Sequence, residues 1–284
     1  LSRLAFIGAG RLGQVLAQAM AAQGESVVAV CSRNQDAAAT LALRIPGCQV
    51  MTQEQALQAA DLIFLTVSDD AIEPLARVLP WRSGQAVVHC SGATELTALA
   101  AAVSRGATVG GFHPLQIFSD PERAAQLLAG STVAIEAEPP LREELLRLAA
   151  LLGMQPLQLP PGTRAAYHAA ASFSASFILS LLDEAVQIWA GVGLPRQQAL
   201  QALLPLARGT LQAAEKRGLA GALSGPISRG DAGVVAGHLQ TLDQLGAEHG
   251  AFYRELSRRQ LDLARASGRL DEQALQRLEA LLGH

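Results

Sequence analysis

The sequence predicts an α/β protein of the Rossmann type, a doubly wound parallel sheet followed by an all-α C-terminal domain. Three observations carry this expectation. Leu4 to Gly13 reads LAFIGAGRLG, an apolar strand entering the pattern G-x-G-x-x-G and then the helical spacing Val15, Leu16, Ala19, Met20. Apolar runs then alternate with amphipathic stretches, which implies right-handed βαβ units. Past Leu159-Pro160-Pro161-Gly162 the strand signal stops, which divides the chain into a nucleotide domain over 1–160 and a helical domain over 161–284.

In the fingerprint, Gly8 permits a tight turn, Gly10 leaves room for a pyrophosphate, and Gly13 lets the helix pack closely on the strand. Gly8, Ala9, Gly10, Arg11, Leu12 and Gly13 are thus the expected phosphate loop, since a helix N-terminus offers free N–H groups and partial positive charge. Ser26 to Cys31 is a second strand, rich in β-branched residues. It is followed by Ser32-Arg33-Asn34, where an NAD site would place Asp or Glu about 20 residues beyond the glycines. Ser32 and Arg33 offer a hydroxyl and a guanidinium instead, which suits the 2′-phosphate of NADP. Further strands are expected at 49–51, 61–67, 86–89, 107–112, 132–135 and 154–159, with helices at 34–44 and from 53. Residues 163–191 read as one long helix, and about four more follow from Pro195.

Composition narrows the class. At 284 residues, 50% hydrophobic and 17% charged, the chain has ample material for a core and does not read as disordered. A net charge of −3 without basic runs argues against nucleic acid as a partner. Cys31, Cys48 and Cys90 are scattered without a CxxC, so neither a disulfide framework nor a metal site is expected, and a reducing cytoplasm fits. The given sequence enters its first strand at once, so no signal peptide is expected, and no apolar run is expected to reach the ~18 residues of a membrane span. Phe173, Phe177, Ile178, Leu181 and Leu182 spread around one helix, and the burial they need predicts a homodimer joined through the helical half.

Ligands of such sheets lie outside the carboxyl ends of the strands. Val67 and Ser68 follow one strand and border the cofactor, while Asp69 or Asp70 caps the next helix. Ser91 follows another, either holding the nicotinamide amide or opening the next helix. His113, before Pro114, is either an acid/base or a structural histidine. Arg164, His168, Ser172 and Ser176 recur at i, i+4, i+8 and i+12, a polar stripe that is either solvated or turned toward a cleft. In Gly225-Pro226-Ile227-Ser228-Arg229-Gly230-Asp231, Asp231 reads as the cap of a helix running through His238, and Arg229 either completes the turn or binds a substrate anion.

The only lysine, Lys216, sits in a polar helix end, so histidine is the expected proton carrier. Of the six histidines, His249 reads as part of a polar turn and His284 ends the chain. His238 is expected under the Gly225 turn and His89 buried at a strand end. His113 and His168 remain, one from each half, and a protonated imidazole is expected to neutralise charge as hydride arrives.

With these residues in view, the chain resembles a family of predicted oxidoreductases that joins a Rossmann-like domain to a helical domain formerly of unknown function. The resemblance rests on Gly8 to Gly13, Phe112-His113-Pro114, Tyr167-His168-Ala169-Ala170-Ala171 and Gly225 to Asp231. More distantly it is similar to 6-phosphogluconate dehydrogenase, ketopantoate reductase and pyrroline-5-carboxylate reductase, which pair a similar nucleotide domain with helices that often dimerise. The resemblance implies an NADP-dependent oxidoreductase acting on a small, anionic carbonyl substrate such as a 2-oxo acid, or on an imine. Relatives commonly carry Lys and Asn where this chain has Arg164 and Ser176, so lysine acid/base chemistry does not transfer. His113 or His168 would then donate the proton and Arg164 or Arg229 would hold the anion. The alternative is a nucleotide-binding sensor or assembly protein on the same fold.

Overall fold

The structure, a computed structural model, describes residues 2–118, 126 and 128–283. The chain forms two compact units, Leu1–Ser172 and Phe173–His284.

The first unit is built on an eight-stranded sheet. Its strands are β1 (Arg3–Ile7), β2 (Ser26–Cys31), β3 (Gln49–Val50), β4 (Leu62–Leu65), β5 (Ala86–His89), β6 (Thr108–Pro114), β7 (Thr132–Ala137) and β8 (Gln155–Gln158). They lie in the order β3-β2-β1-β4-β5-β6-β7-β8. Strand order reverses beside β1, so the β1 and β4 carboxyl ends open a crevice of the kind that holds dinucleotides. One pair departs from the expected parallel sheet, since β7 runs antiparallel to β6, with His113 opposite Ala134. Antiparallel strands near the edge of a mixed sheet are common. Pro156 lies in β8, at the sheet edge, where a missing N–H costs no ladder bond.

The central strands read as unbroken apolar runs because both faces are covered. Leu4 and Phe6 of β1, with Leu62 and Phe64 of β4, face one core that includes Val15, Leu16 and Met20 of α1 (Arg11–Ala22). Ala5, Ile7, Ile63 and Leu65 face the other, against Ile72 and Ala76 of α4 (Asp69–Val78). Phe6 stacks on Phe64 with centroids 5.1 Å apart, and Phe64 meets Phe112 edge to face at 6.0 Å. Further helices among the described residues of this unit are α2 (Gln35–Leu43), α3 (Gln53–Ala59), α5 (Ala100–Val103, after a 3₁₀ turn) and α6 (Leu141–Leu151). Thr52 and Gln55 close a capping box on α3, which satisfies two otherwise free donors.

After β8, helix α7 (Arg164–Ser174) is followed by α8 (Ser176–Gly191). The single long helix expected here is broken at Ala175, whose φ of −124° and ψ of −88° are not helical. The stretch Arg164–Gly191 is long and apolar enough to cross a membrane by length and composition, contrary to the expectation of no such run. Its first residue is nevertheless a fully buried arginine.

The second unit continues with α9 (Arg196–Ala222), α10 (Pro226–Arg229), α11 (Ala232–Leu245), α12 (Ala247–Ser267) and α13 (Glu272–Leu282). Its core gathers Ile227, Val235, Leu239, Leu261, Leu275 and Leu278. Gly218 in α9 has a φ of +69° and kinks the helix, a backbone state open mainly to glycine. Phe173, Phe177, Leu179 and Leu206 are exposed.

Phe64 lies at the centre of the aromatic stack, so Phe64→Ala is expected to lower unfolding free energy by about 3–5 kcal/mol, measured by the urea midpoint at unchanged slope.

Candidate functional site

The β1–α1 turn is shaped by close approach. Gly8 has a φ of +114°, and a Cβ there would collide with the Thr66 carbonyl. A Cβ on Gly13 would come within 2.7 Å of Thr66 Oγ1, whose hydroxyl donates to the Gly8 carbonyl at 2.7 Å. Thr66 therefore locks loop, helix and β4 together. Gly10 differs, for a Cβ would meet nothing within 4 Å. Its open side lies at the α1 N-terminus, which no side chain caps, so backbone donors and helix dipole stay free for an anion.

A cleft of about 380 Å³ runs from this loop past Ser32, Arg33 and Gln53 to Thr66, Val67 and Ser68. Among its lining residues Arg33 is the one charged side chain, and it is exposed. With no carboxylate to repel a 2′-phosphate and a guanidinium to pair with it, the cleft fits NADP. Gly8, Ala9 and Gly10 would face the pyrophosphate, and Ser32 and Arg33 the adenosine phosphate. Of the remaining loop residues, Arg11 is exposed, Leu12 packs on the core and Gly13 is buried. Gln53, the first residue of α3, is a lining residue that sequence reasoning missed. Ser68 takes the N-cap position of α4 without a side-chain cap bond, its hydroxyl donating to the Asp70 carboxylate instead, and Asp69 and Asp70, expected to cap this helix, occupy its first turn.

A second group of polar residues gathers at the ends of β5 and β6. Ser91 Oγ accepts from the N–H groups of Ala93 and Thr94 at 3.1 and 2.9 Å and bonds Thr94 Oγ1 at 2.9 Å. This is the turn-opening alternative, and it engages the hydroxyl expected to hold the nicotinamide. The Ser91 carbonyl accepts from Arg164 Nη1 at 2.9 Å, and Arg164 Nε donates to Glu136 at 2.6 Å. Arg164 is 0% exposed, so neither a solvated residue nor a free anion grip describes it. Its guanidinium lies on Gly111, where a Cβ would collide with it. Glu95 holds the same helix start, accepting from the N–H groups of Gly162 and Arg164.

These ties set α7 so that His113, at the end of β6, meets two of its residues. His113 Nδ1 lies 2.9 Å from the Tyr167 hydroxyl, and the His113 and His168 rings stand 6.2 Å apart. Both histidines approach Gly92, where a Cβ would come within 2.6 Å of His168 and 2.8 Å of His113. His113 and His168 thus both belong to the first unit, rather than one to each half. Burial, helped by His168 and Arg164 and opposed by Asp69, pushes the His113 pKa down to about 4. The ring is neutral at pH 7, not the protonated imidazole expected. His89 is fully buried as expected, and burial lowers it to about 3. Burial raises the Tyr167 phenol, against the lowering pull of Arg164. Tyr167 and Glu136 are the residues of this cluster to which the sequence assigns no role.

The other candidates lie in the second unit. Arg229 pairs with Asp231 at 2.8 Å and is exposed. Asp231 takes the N-cap position but makes no side-chain cap bond. His238 is exposed and bonded to Tyr253, not packed under the turn, because its helix turns it outward. His249 lies in the first turn of α12, bonded to Glu184 at 2.6 Å, rather than in a polar loop. His284 lies outside the described residues. Among the described residues no group of His, Cys, Asp and Glu is arranged to hold a metal.

Fold and cleft define a Rossmann-type protein that takes a nicotinamide dinucleotide. Residues 3–92 match the family described as NADP oxidoreductase, coenzyme F420-dependent, and residues 131–260 match DUF2520, a domain of unknown function. The chain thus carries an N-terminal segment similar to NADP oxidoreductases and a DUF2520 segment after it. Among solved structures it is similar to one assigned as an NADP oxidoreductase from Bacteroides fragilis, at 25% identity over 90% of this chain and 96% of that one, with a TM-score of 0.67. A Thermotoga maritima protein matches at 22% identity over 94% and 100% of the two chains, TM-score 0.78. A reductive aminase of Aspergillus terreus, in complex with NADPH and ethyl-5-oxohexanoate, matches at 15% over 96% and 98%, TM-score 0.67. No curated protein matches the chain.

Arg33→Ala is expected to weaken NADPH binding by roughly 1.5–3 kcal/mol, the range for one charge-assisted contact, and to leave NADH binding unchanged; equal loss for both in a calorimetric titration would reject the assignment.

Proposed function

We propose that the protein is an NADPH-dependent reductase of a small carbonyl or imine, with His113 giving the proton. The observation that carries this reading is the meeting of His113, Tyr167 and His168 over Gly92. It lies at strand ends in the region where doubly wound sheets bind ligands. Bound NADPH supplies hydride. The work of this chain is to hold the substrate carbon near the dihydronicotinamide and to neutralise charge on the substrate heteroatom. A proton donor at that atom supports reduction because the charge grows as hydride arrives.

Charge bears on the substrate. Arg164 is sealed against Glu136, and a buried guanidinium so paired is not available to a second carboxylate. Arg229 is also paired, though exposed, where an ion pair is worth about 0–1 kcal/mol and exchanges readily. An uncharged carbonyl or imine therefore fits the first unit better than a 2-oxo acid does. The likeness to a reductive aminase supports the imine by architecture alone, since chemistry lies in the site and not the fold.

The test is NADPH consumption with uncharged ketones, imines and 2-oxo acids in parallel. Turnover is expected with the uncharged set, and His113→Ala should lower it by roughly 10²–10⁴-fold with NADPH affinity little altered. Full activity in both His113→Ala and His168→Ala would remove the histidine mechanism.

We also propose a homodimer formed through the second unit. Phe173, Phe177, Leu179 and Leu206 are all exposed in the single chain, the two phenylalanines with ring centroids 4.9 Å apart, and exposed apolar side chains of this size support an interface. Light scattering at micromolar protein should give twice the 29.6 kDa chain mass; a concentration-independent monomer would contradict it.

A further inference from the structure

His113 is neutral at pH 7, with roughly one ring in a thousand protonated if its pKa is near 4. A proton donor in this state needs its N–H on a defined nitrogen and a source to replace what it gives. Nδ1 already has a partner, the Tyr167 hydroxyl at 2.9 Å, with the rings edge to face at 5.6 Å. The Cε1–Nε2 edge passes over Gly92, where a Cβ would come within 3.0 Å of Nε2.

We propose that Tyr167 is the positioning residue behind His113: its phenol donates to Nδ1, holds the neutral ring as the Nε2–H tautomer, and replaces the proton that Nε2 gives to the substrate. This rests on the reading of His113 as proton donor. As hydride from the dihydronicotinamide bonds to the substrate carbon, the π pair of the C=O or C=N bond moves onto the heteroatom. That atom takes the proton from Nε2 as Nδ1 takes the proton from the Tyr167 hydroxyl. The substrate gains the two electrons of the hydride, and the resting state returns when Nδ1 gives its proton back to the phenolate as Nε2 takes one from water.

Three features of the first unit support this role. Burial keeps the Tyr167 phenol protonated, so it has a proton to donate to Nδ1. Arg164, one turn earlier on the same helix, lowers the cost of the transient phenolate. Its own position is fixed by Glu136 and the Ser91 carbonyl, so Tyr167 is presented from a rigid helix start. A second His–Tyr pair supplies an internal comparison: His238 Nδ1 and the Tyr253 hydroxyl are also 2.9 Å apart, with rings at 5.6 Å, but there the imidazole is exposed.

The test needs no substrate. The full chain labelled with ¹⁵N-histidine and saturated with NADP⁺ is examined by long-range ¹H–¹⁵N correlation, with His113 assigned by its loss in His113→Gln. The wild type is expected to show His113 as the Nε2–H tautomer. Tyr167→Phe should turn it into a mixture while the His238 signals stay unchanged. An Nδ1–H tautomer in the wild type, or an unaltered tautomer in a folded Tyr167→Phe, overturns the proposal. If Tyr167→Phe does not fold, the wild-type spectrum alone still decides. With a turned-over substrate, the wild-type rate should be flat from about pH 6 to 9, whereas in Tyr167→Phe only imidazolium can donate, and the rate should fall about tenfold per pH unit. An equal loss at every pH would show a merely structural tyrosine. Absence of turnover would reject the reductase reading and leave the tautomer result to stand alone.

Discussion

The first unit depends on one buried contact, the ion pair between Arg164 and Glu136 at 2.6 Å, with side chains 0% and 8% exposed. Taking both charges out of water costs several kcal/mol per ion, and their attraction repays it only with good geometry and further hydrogen bonds. Here Nε serves Glu136 and Nη1 serves the Ser91 carbonyl, while Nη2 has no partner among the described residues. The pair is therefore poor evidence for extra stability and good evidence for position. Removing one partner strands the other, so the helix start has one permitted place against β6 and β7. Gly111 follows from the same contact, because any side chain would occupy the volume of the guanidinium.

From that fixed start the rest of the cluster is set by helical spacing. Tyr167 and His168 stand three and four residues on, near one face of α7, and each meets His113. Burial of His113 makes it neutral, with the Tyr167 hydroxyl on its Nδ1. The cofactor cleft is governed separately, by Thr66 and the glycines it touches. Its polarity rests on Arg33 with no lining carboxylate.

How much of this is legible in the sequence depends on the range of the interaction. The glycine fingerprint and Ser26–Cys31 are local patterns, and the structure has the turn and the strand at those residues. Ser32-Arg33 is likewise a local pattern, and both residues line the cleft beside that turn. The burial of Arg164 is not legible at the helix itself, because an arginine in a first turn is ordinarily solvated. The available signal lies in the Gly110-Gly111 pair, since glycine inside a strand marks a close approach, but what approaches is decided some fifty residues later in the chain. Glu136 gives a parallel case, a carboxylate within an apolar strand whose partner only tertiary structure identifies. The break at Ala175 lies in an Ala/Ser-rich stretch without Gly or Pro, so no local punctuation announces it. His238 and His249 lie on helices whose rotation is set by packing of the second unit, which pattern alone does not specify.

The boundary between the compact units falls after Ser172, inside α7, rather than at the proline-rich turn before it. Dissection of the gene would meet this fact directly. A fragment ending at residue 160 would keep the dinucleotide crevice but lack Arg164, leaving Glu136 as a solitary buried carboxylate and Gly111 with a void above it. Twelve further residues would restore the guanidinium, the phenol and the second imidazole together. The smallest portable module is therefore a Rossmann sheet with a piece of helix attached, and recombination that respects the apparent linker would separate His113 from both of its partners.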